Sequence, residues 1–376
     1  MRKMKYCCGM LFLSILLISQ ITACGGGGED VAPGPTPGLP FLTSDLAGTW
    51  YFYAANGASA GIPPAGSIAA GNLRGTLILD SLGQVVPGGT YTRSNNQSAA
   101  ITGGLIGMDS SGVLNGSFTT NLGVNFYLGS GNMDSTKNIV SFVASTNYGE
   151  YDLVTAVRAA GGFSSLDLAA NWYVFGAGGD YGQITVNDLG NGVRATIVPG
   201  GGGFITIDGN GMLNSTLSGT SYVNAASGTD LYLTSGKINL AKDMMFFVAS
   251  TSTLTYDLVT AIRAGGAFTS ADFSGTWSIS GAGTSGTNKA TLNGTVILDA
   301  TGKVTGGSYT RTDSTGKTSF ALTSGTVKID NAGVLGGSAG NLSFASGKMN
   351  AAKGMMSLVG STAGGEKDFL FCVKVN

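Results

Sequence analysis

The chain has 376 residues, with 20 Lys and Arg against 21 Asp and Glu, a formal net charge of −1 and no histidine. A near-neutral balance without a basic block lacks the electrostatic footprint of nucleic-acid binding. The missing histidine removes the commonest general base, triad member and metal ligand. Charged residues are only 11% of the chain and glycine accounts for 63 positions. Helix formers are scarce beyond the amino terminus and no apolar stripe keeps a helical period, so the class read from the sequence is all-β.

In chain order, Arg2, Lys3 and Lys5 precede a mostly apolar run from Met10 to Ile18, then Ile21-Thr22-Ala23-Cys24. The run is shorter than the roughly 20 residues of a membrane-spanning helix and has the layout of a secretory signal. Its last four residues resemble the bacterial lipobox. That resemblance implies a signal peptide over residues 1–23, cleavage before Cys24, diacylglycerol on the Cys24 sulfur and a fatty-acylated amino terminus such as palmitate. It also implies lipid anchoring to the outer membrane, on the periplasmic or cell-surface face, because Gly25 rather than Asp follows the cysteine. Residues 24–40 open with a run of four glycines after Cys24 and then carry four prolines, the composition of a tether. Cys7 and Cys8 leave with the signal, so Cys372 alone remains and no intrachain disulfide is expected.

Beyond the tether the chain repeats itself. Phe41 to Trp50, Phe163 to Trp172 and Phe268 to Trp277 are three copies of one stretch. Each opens a segment that ends in an apolar strand with a terminal cation: Tyr151 to Arg158, Tyr256 to Arg263 and Lys367 to Lys374. The expected units are 41–162, 163–267 and 268–376. Short connectors at Gly161-Gly162 and Gly265-Gly266 predict that the units touch. The first reads as eight strands: Trp50 to Ala54, Leu73 to Asp80, a third ending near Arg93, Ala99 to Asp109, Val113 to Thr120, Asn125 to Met133, Ile139 to Thr146 and Tyr151 to Arg158. An insert from Gly57 to Gly71 distinguishes it, and Gly200 to Gly203 marks the second.

Two turn types join the strands. Asp80, Asp109, Asp208, Asp299 and Asp330 each lead an Asp-x-x-Gly turn, in which the carboxylate accepts backbone N–H groups and glycine supplies a positive φ. One carboxylate per turn is too few for calcium, which takes six to eight oxygens. The second type runs from Asp134 to Asn138, Asn239 to Asp243 and Asn350 to Gly354. Asn, Asp or Gly at the fifth position predicts left-handed backbone there.

Gly48-Thr49-Trp50 and Gly275-Thr276-Trp277 match the Gly-x-Trp signature of the first strand in calycins (lipocalins, fatty-acid-binding proteins and avidins); the middle copy departs as Ala170-Asn171-Trp172. A polar turn led by phenylalanine precedes each tryptophan, and a cation ends each last strand. Together these features resemble the calycin superfamily. The resemblance implies three tandem up-and-down antiparallel eight-stranded barrels, with structural pairs Trp50–Arg158, Trp172–Arg263 and Trp277–Lys374. It also implies an interior able to hold a small apolar ligand, with no ligand-binding residue identified. A continuous propeller-like or stacked-sheet array is the alternative architecture.

Strand alternation places Asp152, Val154, Ala156 and Arg158 on one face and Leu153 and Val157 on the other. Met244 to Val248 and Met355 to Val359 are apolar on almost every position, as in strands buried on both faces. These closing hairpins are therefore expected to pack one unit against the next or against a partner. The recurring Asp152, Asp257 and Asp368 read as architectural, Asp45, Asp167 and Asp272 as caps of the leading turn, and Arg93 and Arg311 as strand-surface charges or ligand anchors. Cys372 reads as a small buried residue. No catalytic residue, metal site, cofactor or enzymatic activity is expected. Two functions remain: an envelope lipoprotein binding a small apolar ligand, or a structural or adhesive surface protein with filled barrels and an envelope protein partner.

Overall fold

Short alternating strands and tight turns favour pairing between sequence neighbours, and nearly every strand pairs that way. The computed structural model describes residues 40–375 apart from 60–71, 94–96, 178, 180, 189–192, 199–201, 216–217, 220–230, 252–255 and 286–287. The signal, Cys24, most of the tether and most of the insert after Gly57 lie outside the described residues. Strands β1 (Gly48–Ser59), β2 (Leu73–Leu79), β3 (Thr90–Arg93), β4 (Ser98–Met108), β5 (Leu114–Thr120), β6 (Asn125–Met133), β7 (Ile139–Thr146) and β8 (Glu150–Arg158) form a closed antiparallel barrel. β8 pairs back onto β1, with Trp50 opposite Arg158. This closure excludes an array of four-stranded blades for the first unit, and it leaves no sheet edge exposed.

The second sheet contains β9 (Ala170–Gly176), β10 (Tyr181–Asp188), β11 (Val193–Val198), β12 (Gly202–Ile207), β13 (Met212–Ser215), β14 (Ser218–Gly219), β15 (Leu231–Ile238), β16 (Met244–Thr251) and β17 (Tyr256–Arg263). Its order is β11-β10-β9-β17-β16-β15-β13-β12-β14, and a further pairing of β11 with β12 links its flanks. The third contains β18 (Gly275–Ser285), β19 (Asn288–Leu298), β20 (Val304–Asp313), β21 (Gly316–Ala321), β22 (Gly325–Ile329), β23 (Val334–Ala339), β24 (Leu342–Met349), β25 (Met355–Thr362) and β26 (Lys367–Val375). Its order runs from β21 through β18 and β26 to β22. Both are curled antiparallel sheets of nine strands, where eight were expected. The extra strand has a local cause in the third sheet. The chain breaks between β21 and β22, where Leu322 turns fully inward and its N–H bonds the Gly307 carbonyl at 2.9 Å.

Each sheet encloses its own apolar core. The first contains Trp50, Phe52, Phe118, Phe126, Phe142 and Ala156. A fourth core lies between the sheets and draws on all three: Leu153 and Val157 of β8, Met244 and Phe246 of β16, Phe369 and Phe371 of β26. The closing hairpins thus pack the units together, as strands apolar on both faces require. Val154 and Ala156 point into the barrel while Leu153 and Val157 point into the shared core. Phe246 and Phe371 meet edge to face at 5.9 Å. Buried lysines fasten the seams. Lys237 Nζ lies 4.9 Å from the ring centre of Tyr51, and Lys348 Nζ lies 5.3 Å from that of Tyr173. Asn350 Nδ2 donates to Asp243 Oδ2 across a seam at 3.1 Å.

Candidate functional site

One end of each sheet carries the same constellation. A 3-10 turn precedes the first strand, at Thr43–Leu46, Ser165–Asp167 and Ser270–Phe273. Asp45, Asp167 and Asp272 cap it, each Oδ2 accepting the backbone N–H three residues earlier at 2.8 Å. The turn ends with a carbonyl aimed at the indole: Trp50, Trp172 and Trp277 donate through Nε1 to Leu46, Leu168 and Phe273 at 2.7, 2.9 and 2.8 Å. The cation ending the last strand lies over each indole, Arg158 at 4.5 Å, Arg263 at 5.8 Å and Lys374 at 5.5 Å. Arg158 also donates to the carbonyls of Asp45, Ala47 and Lys137. Lys374 reaches the Asp272 carbonyl; a single ammonium cannot serve several carbonyls as a guanidinium fork does.

The second turn type differs from its sequence reading. Left-handed backbone falls on the fourth residue, Lys137 (φ 59°), Lys242 (φ 60°) and Lys353 (φ 59°), not on the fifth. Each lysine pairs with the capping aspartate of the leading turn, at 2.7, 2.8 and 3.0 Å. Each also lies over the leading phenylalanine, Phe41, Phe163 or Phe268. The fifth residue instead donates its N–H to the first: Asn138 to Asp134, Asp243 to Asn239 and Gly354 to Asn350. The sequence signal for this role was a lysine at the same turn position in all three copies.

The interiors of the first barrel and of the third sheet are filled among the described residues. The first barrel retains a void of about 20 Å³ between Trp50, Phe52, Phe118, Phe126 and Phe142. The third sheet retains about 10 Å³. A void of roughly 10 to 15 Å³ holds at most a single water, whereas ligand pockets run to about 300 Å³ or more. Phenyl groups fill the barrel: Phe118 stacks on Phe126 at 4.7 Å, and Tyr91 meets Phe126 edge-on at 5.7 Å. Cys372 is buried, and burial pushes its thiol up to about 12, which disfavours the thiolate. The Asp-x-x-Gly carboxylates are engaged by backbone; Asp109 Oδ1 accepts from Ser111 and Val113 at 2.9 and 3.0 Å.

The opposite end is polar and buried. Arg93 and Arg311 are only 2% and 4% exposed, which corrects their reading as surface charges. Arg93 Nη2 pairs with Glu150 Oε2 at 2.9 Å, and Arg311 Nη1 pairs with Asp368 Oδ1 at 2.6 Å. Asp152 is fully buried beside the first pair. Asp257 stands on β17 opposite Ala249. Arg93 and Glu150 lie on strands that are not neighbours, so no local spacing connects them in the sequence.

No family model matches the chain, and no curated protein matches it. Among solved structures, a double mutant of Transferrin Binding Protein B from Haemophilus parasuis is similar at 11% identity and a TM-score of 0.29, covering 91% of this chain and 78% of that one. Transferrin Binding Protein B from Neisseria meningitidis is similar at 12% identity and a TM-score of 0.29, covering 88% and 77%. A protein of unknown function from Nostoc punctiforme aligns over 90% of this chain and 100% of its own at 10% identity and a TM-score of 0.21. Likenesses at this level assign no family.

Proposed function

We propose that this chain is a non-catalytic envelope lipoprotein that works through its outer surface, as a structural or adhesive protein making contacts with an envelope protein partner. Cys24 carries the lipid, residues 24–40 act as the tether, and three calycin-like barrels (41–162, 163–267 and 268–376) form the folded body at the outer membrane. The filled interior carries this reading. Phe52, Phe118, Phe126 and Phe142 occupy the space that a small apolar ligand would need. Packing through a common core supports it further, because joined barrels present one rigid surface at the end of a tether.

Native mass spectrometry of the full chain, released gently from membranes, tests the reading. The expected spectrum shows the lipidated chain without any second small molecule. A stoichiometric apolar ligand would restore the binding-protein alternative. Metabolic labelling with palmitate tests the anchor separately, and Cys24→Ala is expected to abolish incorporation.

A further inference from the structure

The first sheet buries two carboxyl groups, Glu150 and Asp152, against one arginine at the end remote from the tryptophan, whereas the same end of the third sheet has one buried carboxyl, Asp368, and a partly exposed one, Glu366. In the first, Arg93 pairs with Glu150. Asp152 is 0% exposed and neither of its oxygens has a hydrogen-bond partner among the described residues. The charged groups facing it are Arg93 from β3, Glu150 from its own strand and Lys289 from β19 of the third sheet. In the third, Arg311 from β20 bonds Asp368 Oδ1 at 2.6 Å and lies 3.5 Å from Glu366. Asp368 Oδ2 is unpartnered and its residue is 0% exposed. The backbone makes room for this carboxyl: Gly283 stands opposite Asp368, and a Cβ there would sit 1.9 Å from Oδ1. The sequence carries the same words at both places, Tyr-Thr-Arg at 91–93 and 309–311 and Glu-x-Asp at 150–152 and 366–368.

One guanidinium cannot neutralise two buried carboxylates, and an unpaired buried anion costs far more than taking up a proton. We infer that the first cluster is a proton-binding site, holding a proton on Asp152 in mildly acid medium and releasing it as the medium turns alkaline, which loosens that end of the barrel. Burial, opposed by Arg93, moves Asp152 from 3.8 to about 7, and burial likewise raises Asp368. The sign follows from linkage. Between the unfolded and folded values the folded chain binds more protons, so stability falls as pH rises through that window and the stabilisation is gone above it.

The test is the melting temperature of the full chain from about pH 5 to about pH 7.5, below the range where the buried Lys237, lowered to about 8 by burial, begins to titrate. The wild type is expected to melt progressively lower across this range. Asp152→Asn keeps the shape without the charge and is expected to reduce the fall, leaving the part that belongs to Asp134, whose proton affinity burial also raises. Asp152→Asn with the wild-type slope overturns the inference. If that variant does not fold, proton exchange with an indicator dye on refolding Asp134→Asn at about pH 6 decides. The chain has no histidine and this variant lacks the Asp134 carboxyl, whose proton affinity burial also raises, so net uptake supports the site and no uptake overturns it.

Discussion

Arg158 shows how much one side chain can hold. Its guanidinium covers Trp50 and donates to three carbonyls, two in the leading turn and one in the closing turn. The fork therefore ties both ends of the barrel chain to one indole. Arg158→Ala is expected to cost about 3 kcal/mol, from the lost cation–π contact and the carbonyls left unpaired. Arg263→Lys reproduces what the third repeat has at Lys374 and is expected to cost under about 1 kcal/mol. Chemical denaturation of both variants measures the difference. These pairs were readable in the sequence because tryptophan and cation recur at fixed places. The left-handed lysines were not, since local propensity favours glycine or asparagine at such positions. An ion pair with a residue far along the chain overrides that propensity.

At the scale of the element, the closing turns depend on their first residue. Asp134 accepts the N–H groups of Thr136, Asn138 and Ile139 at 3.0, 2.9 and 2.7 Å. Burial raises its affinity for a proton despite these bonds. Asp134→Ala is expected to destabilise by about 2 kcal/mol, because several buried donors lose their acceptor at once. Asp134→Asn, which copies Asn239 and Asn350, is expected to cost less than half as much. Thermal melts of the pair check the order. Strand positions were largely legible, since the Asp-x-x-Gly turns punctuate the alternation. The exceptions have physical causes. β1 runs to Ser59 because β8 continues to pair with it beyond Ala54, and the strand after β20 is broken where Leu322 enters the core.

At the scale of the whole molecule, the shared core decides cooperativity. Phe246 and Phe371 are fully buried only because the sheets meet. Phe246→Ala is expected to cost about 3 to 5 kcal/mol and to lower one common calorimetric transition. Three separate transitions, with only the second shifted, would show that the seams do not couple the sheets. The sequence by itself determined the all-β class, the threefold repetition, the meeting of indole and cation, and the burial of the closing hairpins on both faces. All of these follow from periodicity and from residue types recurring at fixed spacing. Only the tertiary structure decided that the first barrel is filled and that Arg93 and Arg311 lie inside. Both depend on side chains from distant strands meeting across an interior, where volume and charge must balance together, and no local pattern encodes that sum.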